Sequence, residues 1–220
     1  NEPWEVQNNS GQYFTVFTPY WRKAFDVYQS KKEKIEKLNS LNVLRHQEKS
    51  TFNFLPDKNW YQKFSQYWTP GEQNAHEQLS RYLKTDIDVY KEARDRPDLD
   101  QTSKLSPYLR FGEISPRTIV FNVLKAKKLT PSVITYLSEI GWREFSYSLL
   151  YYSKNLSSIP INLKFQKFPW RKSSKDLDLW KRGQTGIPLV DAAMKQIYEK
   201  GWMHNRLRMV VGSCLVKNVL

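Results

Sequence analysis

Apolar residues recur at helical spacing along most of the chain after residue 70. One amphipathic helix is predicted from the turn Thr69-Pro70-Gly71 to about Thr85, because its apolar residues lie three and four positions apart. These residues are Ala75, Leu79, Tyr82 and Leu83. The chain has no block of alternating apolar and polar residues and no internal repeat. The pattern therefore predicts an all-α fold.

Two dipeptides, Ser115-Pro116 and Thr130-Pro131, have the sequence of helix starts, since a hydroxyl caps the first amides and proline suits the first turn. The second predicts a long helix that ends near Tyr152. Its inward positions are Ile134, Leu137, Phe145 and Leu149, whereas Glu139, Trp142, Arg143 and Ser146 share another face. The long helix thus presents a polar and aromatic face in addition to its core face.

The segment GWMHNRLRMVVGS, residues 201–213, is expected to lie on one helix, after a short amphipathic helix that Pro188 begins and Gly201 ends. The residues expected to be buried on the second of these helices are Leu207, Val210, Cys214 and Leu215. Its other face carries Asn205, Arg208, Met209 and Gly212. This mixture of amide, guanidinium and thioether groups is unusual for core packing and indicates a ligand-binding face.

Residues 1–65 are mixed in composition and are expected to form a linker arm with helical pieces, before an incomplete domain at residues 66–220. Within the arm, the segment GQYFTVFTPYWRKAF is typical of a strand that leads into a linker. The chain begins with Asn1, and its last segment, SCLVKNVL, carries no helix-ending signal. These features predict a fragment, truncated at its carboxyl end, whose exposed apolar face favours self-association.

The chain carries 35 Lys and Arg against 22 Asp and Glu, a formal net charge of +13. The excess is concentrated in residues 164–217, which hold twelve basic residues against four acidic ones. Such a charge favours a polyanionic partner, and nucleic acid is the first candidate. A basic surface that only keeps the protein in solution is the alternative.

Cysteine, histidine and hydropathy narrow the class of protein. The one cysteine, Cys214, has no internal partner, so a buried thiol in a reducing compartment is expected. The three histidines lack ligand spacing with Cys, Asp or Glu, and we expect no metal site. No apolar run approaches the roughly twenty residues that span a bilayer, which favours an intracellular, cytoplasmic location.

Two groups of residues suggest ligand chemistry. The hydroxyl-rich turn, defined as residues 102–106 (TSKLS), precedes a predicted helix and suits a phosphate, although residues of this kind are usually simple caps. Glu139, Trp142 and Arg143 place a carboxylate, a flat ring and a guanidinium within one helical turn. Such a group suits a base or a base-like ring. A simple ion pair between Glu139 and Arg143 is the alternative.

The order of motifs resembles the photolyase/cryptochrome family, and within it the flavin domain of bacterial class I cyclobutane pyrimidine dimer photolyases. The resemblance runs through most of the chain. It covers the linker segment GQYFTVFTPYWRKAF, Tyr90 ahead of TSKLS, LSPYLRFGEISPR, EIGWREF, GQTGIPLVDAAM and GWMHNRLRM. The resemblance implies a truncated helical FAD-binding domain.

Roles are implied only at positions that match the family's motifs. The resemblance implies FAD contacts at Tyr90, Thr102, Ser103, Lys104, Leu105, Ser106 and Arg143. It implies DNA contacts at Arg94, Lys104 and Arg206, and a lesion pocket formed by Glu139, Trp142, Asn205 and Met209. Trp170 matches the surface end of the family's tryptophan electron-transfer chain. Glu139, Trp142, Asn205 and Trp170 are thus the residues expected to serve the reaction.

The implied activity is light-dependent DNA repair. Excited, fully reduced FAD would donate an electron to a flipped pyrimidine dimer, whose cyclobutane bonds open, a carbon–carbon lyase reaction. An antenna chromophore is expected in an amino-terminal domain outside the chain. The alternatives are a cryptochrome-type blue-light receptor and a helical DNA-binding module without a cofactor. Asn205 and Met209 favour repair, because plant-type receptors tend to carry Asp at the first of these positions and animal-type proteins His.

Overall fold

The computed structural model describes residues 2–31, 57–153 and 155–219, and over these residues the chain contains helices and no strand. The α-helices are α1 (Phe17–Lys31), α2 (Glu72–Thr85), α3 (Tyr90–Ala93), α4 (Ser106–Phe111), α5 (Pro116–Ala126), α6 (Pro131–Tyr152), α7 (Ser174–Arg182), α8 (Pro188–Lys200) and α9 (Asn205–Cys214). Short 3₁₀ turns lie at Pro3–Glu5, Asn59–Gln66, Ile87–Val89 and Leu163–Lys167, and a π-helical turn at Leu215–Val219 extends α9. The predicted all-α fold is confirmed.

The predicted helix starts are present at both hydroxyl–proline pairs. Ser115 Oγ accepts a hydrogen bond from the Thr118 amide, and Thr130 Oγ1 accepts one from the Val133 amide. The helix α6 then runs to Tyr152, as its pattern predicts. These capping bonds satisfy amides that have no partner inside the helix, and the proline beside each cap has no amide to satisfy.

The main core lies between α2, α3, α5 and α6, and the hydroxyl-rich turn is anchored in it. Its most buried members include Leu79, Tyr82, Leu105, Ile119 and Leu137. On α6, Leu137 and Phe145 are buried as expected, but Ile134 is 45% exposed. Ile134 lies in the first turn of α6, ahead of the part of the helix that α1 covers, at Gly141 and Phe145.

A second apolar cluster joins α8 to α9. Its members are Val190, Ala193, Met203, Leu207, Val211 and Cys214. The helix α9 begins at Asn205 rather than near Gly201, because Gly201 adopts φ +65° to end α8 and His204 caps α9. The predicted burial of Val210 is wrong. Residues 207, 211 and 214 form the stripe that packs on α8, whereas Val210 lies at its edge and is 38% exposed.

The first described residues, 2–31, pack on α6 through a third apolar cluster, in which Val6, Tyr20 and Ala24 meet Phe145. The predicted strand is not formed. Its aromatic positions at 17, 20, 21, 25 and 28 follow a helical period, and α1 begins at Phe17. Trp21 lies so close to α6 that a Cβ on Gly141 would be 2.3 Å from its Cε3 atom. Residues 32–56 of the arm lie outside the described residues.

Cys214 is buried as expected. None of the helices described, over residues 2–31, 57–153 and 155–219, is both long enough and apolar enough to cross a bilayer.

Candidate functional site

Four charged side chains form a continuous chain of ion pairs between α6 and α9. Glu139 Oε1 lies 2.7 Å from Arg94 Nη1, and Arg94 Nε lies 3.9 Å from Asp95 Oδ1. The same Asp95 oxygen accepts a hydrogen bond from Arg206 Nε at 2.5 Å. We refer to Glu139, Arg94, Asp95 and Arg206 as the ion-pair chain. It brings three of the sequence-predicted residues together.

Tyr90 lies beneath this chain. The Arg94 guanidinium is 5.6 Å from the centre of the Tyr90 ring, and the side chain is largely buried. Burial, assisted by the negative charge of Glu139, raises the pKa of the Tyr90 hydroxyl to about 12, although Arg94 and Arg206 oppose the shift. The hydroxyl therefore stays protonated at neutral pH and is a hydrogen-bond donor at the floor of the site.

The hydroxyl-rich turn is held by its backbone and by one apolar anchor. Ser103 O accepts a hydrogen bond from Gln78 Nε2 at 2.9 Å, and Leu105 is 1% exposed. Between them, Lys104 has φ +52°, a left-handed conformation that is uncommon outside glycine. The Lys104 ammonium pairs with Asp100 and lies 5.8 Å from the centre of the Trp202 ring. The turn is thus held at the Ser103 carbonyl, at Leu105 and at the Lys104 ammonium.

Hydroxyl groups in the turn, and the Tyr136 hydroxyl beside it, are candidate ligand contacts. Tyr136 is 3% exposed, and its hydroxyl has no hydrogen-bond partner of normal geometry. Burial raises the pKa of Tyr136, while the nearby Ser103 hydroxyl opposes the shift. Within the described part of the chain, the hydroxyls of Thr102 and Ser106 also form no hydrogen bond. A buried donor without an acceptor is costly, so a ligand oxygen at this position would satisfy it.

Trp142 presents one open ring face. The side chain is 45% exposed, and its other face stacks on Phe17 with centroids 3.8 Å apart and planes 11° apart. Phe145 contacts the indole edge-on at 5.7 Å. The indole plane is thus fixed from the core side. Glu139, which pairs with Arg94, lies one helical turn before Trp142 on α6.

The first turn of α9 presents the other predicted lesion-pocket residues. Asn205 is exposed, and Met209 is 59% exposed with its Sδ atom 3.5 Å from Arg206 Nη1. His204 caps the helix, since its Nδ1 accepts a hydrogen bond from the Arg206 amide at 3.2 Å. His204 is 2% exposed, and burial lowers its pKa below the ordinary value of 6.5. Neutral His204 therefore keeps the cap in place.

Arg143 lies away from the ion-pair chain. Its Nη1 donates to Glu144 Oε1 at 2.6 Å, and its guanidinium lies 4.7 Å from the centre of the Tyr147 ring. These groups line a cavity of about 670 Å³ against α1, together with Trp21. The structure therefore orients Arg143 toward the arm, and it does not form the ion pair with Glu139 that the sequence left open.

Trp170 also lies apart from the ion-pair chain, in the segment before α7. It is 51% exposed and contacts the Phe168 ring at 4.6 Å. Trp180 is partly buried, and its Nε1 donates to Val211 O at 3.1 Å. An exposed indole is what the surface end of an electron path requires, but the role of Trp170 stays a prediction.

Three residues of the site were not identified from the sequence. Asp95 carries the middle of the ion-pair chain, Phe17 covers Trp142, and Tyr136 contributes the unpaired hydroxyl. The sequence held one weak signal for Tyr136, which lies one turn before Glu139 on the same helix. In residues 2–31, 57–153 and 155–219, no group of three or more His, Cys, Asp or Glu residues is placed to hold a metal ion.

Comparisons with known proteins identify the family of this chain. Residues 136–220, which include Glu139, Trp142 and the whole of α9, match the family of the FAD binding domain of DNA photolyase. The chain belongs to the photolyase/cryptochrome family. A deoxyribodipyrimidine photo-lyase of Agrobacterium fabrum is 38% identical over 100% of this chain and 47% of its own length.

Two further members of the photolyase/cryptochrome family are similar to this chain, one in structure and one in sequence. The crystal structure of a class III photolyase from Agrobacterium tumefaciens has a TM-score of 0.85 and 36% identity, over 100% of this chain and 47% of its own. Cryptochrome-1 of Arabidopsis thaliana is 31% identical over 98% of this chain and 34% of its own length. The chain spans about half the length of the curated relatives it matches most fully.

Proposed function

We propose that this chain is the flavin- and lesion-binding part of a light-dependent enzyme that repairs pyrimidine dimers in DNA. The observation that carries the proposal is the ion-pair chain, which ends at Glu139, one helix turn from the open face of Trp142. Stacking and hydrogen bonding to a flipped base pair are thus available side by side. Relatives named deoxyribodipyrimidine photo-lyase support the same activity.

The positive charge serves DNA binding. With a net charge of +13, the chain attracts the phosphate backbone without reading base sequence. We assign Arg94, Lys104 and Arg206 to this contact. A damaged pair stacks poorly, and its extrusion therefore costs less than that of normal bases. The flipped dimer would stack on Trp142, hydrogen-bond to Glu139 and contact Asn205 and Met209.

Phe17 and Phe145 close the core side of Trp142 to water, so that only the face toward the lesion is open. Arg94 keeps the Glu139 carboxylate paired and oriented while the pocket is empty. The carboxylate accepts hydrogen bonds and cannot donate them, which suits N–H groups on the edge of a pyrimidine. The protein's part in the reaction is therefore to bind, orient and exclude water.

The residues of the hydroxyl-rich turn fit the phosphates of FAD. The fit rests on the buried Tyr136 hydroxyl, which has no hydrogen-bond partner of normal geometry, and on the hydroxyls of Thr102 and Ser106, which form no hydrogen bond among the described residues. Tyr90, Ser103, Lys104 and Leu105 complete this contact in our proposal, and Arg143 is kept as a proposed cofactor contact. When bound, reduced and light-excited FAD would supply the electron that opens the dimer. A cavity of about 240 Å³ beside Lys104 is smaller than typical ligand pockets, about 300–1,000 Å³, so it would take only part of the cofactor.

The finer assignments are also proposals. The motifs resemble class I enzymes, whereas the solved structure with a TM-score of 0.85 is that of a class III photolyase, which supports class III as the alternative subgroup. An arm at residues 1–65, an antenna chromophore in an amino-terminal domain, self-association through apolar surface and a bacterial cytoplasmic location remain part of the proposal. Trp170 is proposed as the surface end of the electron path.

The experiment is to purify the chain, add FAD, reduce it and illuminate ultraviolet-damaged oligothymidylate. Repair is expected to restore absorbance near the thymine maximum, and a flavin absorption band should remain with the protein after gel filtration. Flavin binding without repair would favour the cryptochrome-type receptor, for which the similarity to Cryptochrome-1 is the supporting observation. Selective binding to dimer DNA with no flavin band would favour the cofactor-free module.

A further inference from the structure

The two sides of the proposed lesion pocket belong to different apolar clusters. Glu139 and Trp142 lie on α6, which packs in the main core with α2, α3 and α5. Asn205 and Met209 lie on α9, which packs on α8 in the second cluster. The two clusters share no residue. The described contacts between them include Trp68, which meets the Trp202 ring and donates to Lys200 O, and the ion-pair chain.

Asp95 makes the polar contact that lies in the pocket itself. It follows α3, and its Oδ1 accepts from Arg206 Nε at 2.5 Å, in the first turn of α9. The same oxygen lies 3.9 Å from Arg94 Nε, and Arg94 holds Glu139. A single carboxylate thus bridges two guanidiniums and, through them, links α9 to Glu139.

The Asp95 carboxylate also neutralises positive charge that a DNA phosphate would otherwise meet. Asp95 is 59% exposed, and Arg206 is 35% exposed, so a DNA phosphate competes with Asp95 for the same guanidinium. Arg94 is less accessible, with 16% exposure, and is held between Asp95 and Glu139. Every phosphate contact made by these arginines is open to any DNA, because it carries no information about damage.

We propose that Asp95 is a positioning and specificity-determining residue, which aligns α9 with Glu139 and restrains Arg94 and Arg206 from binding undamaged DNA. This inference rests on the proposed function, since it concerns selectivity for the lesion. Undamaged DNA gains only phosphate contacts when Asp95 is lost. Dimer-containing DNA gains the same contacts but loses the alignment of Asn205 and Met209 with Glu139.

The test is binding in the dark, with FAD present, to two oligonucleotides of the same sequence, with and without one thymine dimer. Asp95→Asn is expected to raise affinity for undamaged DNA about two- to fivefold, the range of an exposed ion pair. Its log–log salt dependence should steepen by about 0.9, the value for one further phosphate contact. The ratio of dimer affinity to undamaged affinity should fall at least threefold.

Two variants make the result specific. Asp88→Asn removes the same charge seven residues away, where Asp88 is 56% exposed and pairs only with Lys127 among the described residues. It should leave the affinity ratio unchanged. Asp95→Glu keeps the carboxylate and should restore most of the ratio. A ratio equally changed by Asp95→Asn and Asp88→Asn would show a simple charge effect and would overturn the inference.

The same titration separates the inference from the proposed function. A wild-type chain that binds both oligonucleotides equally would contradict the lesion-binding function itself. A selective wild type with an equally selective Asp95→Asn variant would contradict only the role of Asp95. Thermal melts of each variant identify any loss of folding, and Asp95 is exposed enough for the substitution to leave the core intact.

Discussion

Phe17 stacks on Trp142 with the two ring planes only 11° apart and their centroids separated by 3.8 Å. The contact joins α1 to α6, since Phe17 begins α1 and Trp142 lies near the middle of α6. An indole held in this way loses little rotamer freedom when a base pair stacks on its other face. In the proposed lesion pocket, α1 would therefore support Trp142 without touching the ligand.

Removing this stack should weaken both folding and lesion binding. Phe17→Ala is expected to lower the free energy of unfolding by about 1–3 kcal/mol, less than the loss for a fully buried ring. Affinity for dimer DNA should fall severalfold while affinity for undamaged DNA stays within twofold. Phe17→Leu, which still covers the indole face, is the control and should keep most of the affinity. Equal losses on both DNAs would show that Phe17 acts on stability alone.

Trp142 itself is expected to be decisive for selectivity. Trp142→Ala should weaken dimer binding by about ten- to a hundredfold, because base stacking is worth about 1–3 kcal/mol per base. Undamaged DNA should be bound almost as before. Trp60→Ala is the matched control, since Trp60 is 54% exposed and lies outside the site. A parallel loss on both oligonucleotides would remove Trp142 from the lesion pocket. Fluorescence anisotropy in the dark provides the measurement.

The close packing of α1 on α6 makes a strong prediction about Gly141. A Cβ there would lie 2.3 Å from Trp21 Cε3, so Gly141→Ala must displace the indole and should cost about 1–3 kcal/mol in urea unfolding. Gly212 is also helical but has no atom within 4 Å of an added Cβ. Gly212→Ala should therefore stabilise the chain by about 0.5–1 kcal/mol. The same sign for both substitutions would contradict the packing of Trp21 against α6.

Local signals in the sequence explain why the helices could be predicted. Thr130-Pro131 marks the start of α6 and Gly201 the end of α8, because caps, proline and positive φ act within one helical turn. Contacts between distant segments left no such signal. Asp95 pairs with Arg206 over a separation of 111 residues, and nothing near either residue indicates the other.

The direction of long side chains was the second feature that the sequence could not predict. Arg143 shares a helix face with Glu139 by spacing, yet its guanidinium turns to Glu144 and Tyr147. A long side chain reaches several neighbours, and the choice between them depends on which neighbours are present in three dimensions. The same reasoning applies to Val210, where the position of α8 decided which part of the apolar stripe is buried.

The cap of α9 should make stability depend on pH. His204 has a pKa below 6.5 in the folded chain, mainly because burial disfavours its charged form. The unfolded chain therefore binds more protons, and the free energy of unfolding should fall as the pH drops from 7 toward 5.5. Protonated Nδ1 can no longer accept from the Arg206 amide, so the first turn of α9 loses its cap.

His204→Asn tests this pH dependence. Asparagine is a good cap and does not titrate, so urea unfolding of the variant should vary less between pH 7 and pH 5.5. His76→Asn is the control, since His76 is exposed on α2 and pairs only with Glu72 among the described residues. It should keep the wild-type profile. A profile that His204→Asn leaves unchanged would assign the pH dependence to other groups.

Substitution of two buried tyrosines, one at a time, separates a cofactor contact from an unsatisfied hydroxyl in the core. Tyr136 and Tyr82 are 3% and 1% exposed, their rings lie 5.0 Å apart, and neither hydroxyl has a hydrogen-bond partner of normal geometry. Removing an unsatisfied buried hydroxyl relieves a cost of about 1–3 kcal/mol. Tyr136→Phe and Tyr82→Phe should therefore each raise the melting temperature of the ligand-free chain.

Only one of these substitutions should affect the cofactor. The Tyr136 hydroxyl lies beside Ser103 in the hydroxyl-rich turn, so Tyr136→Phe is expected to weaken FAD binding about fivefold or more, the loss of a hydrogen bond to a charged group. Tyr82→Phe should leave FAD affinity unchanged. Quenching of flavin fluorescence measures both constants. If the two variants bind FAD equally well, the Tyr136 hydroxyl does not meet a ligand oxygen, and the turn must hold its phosphate by other donors.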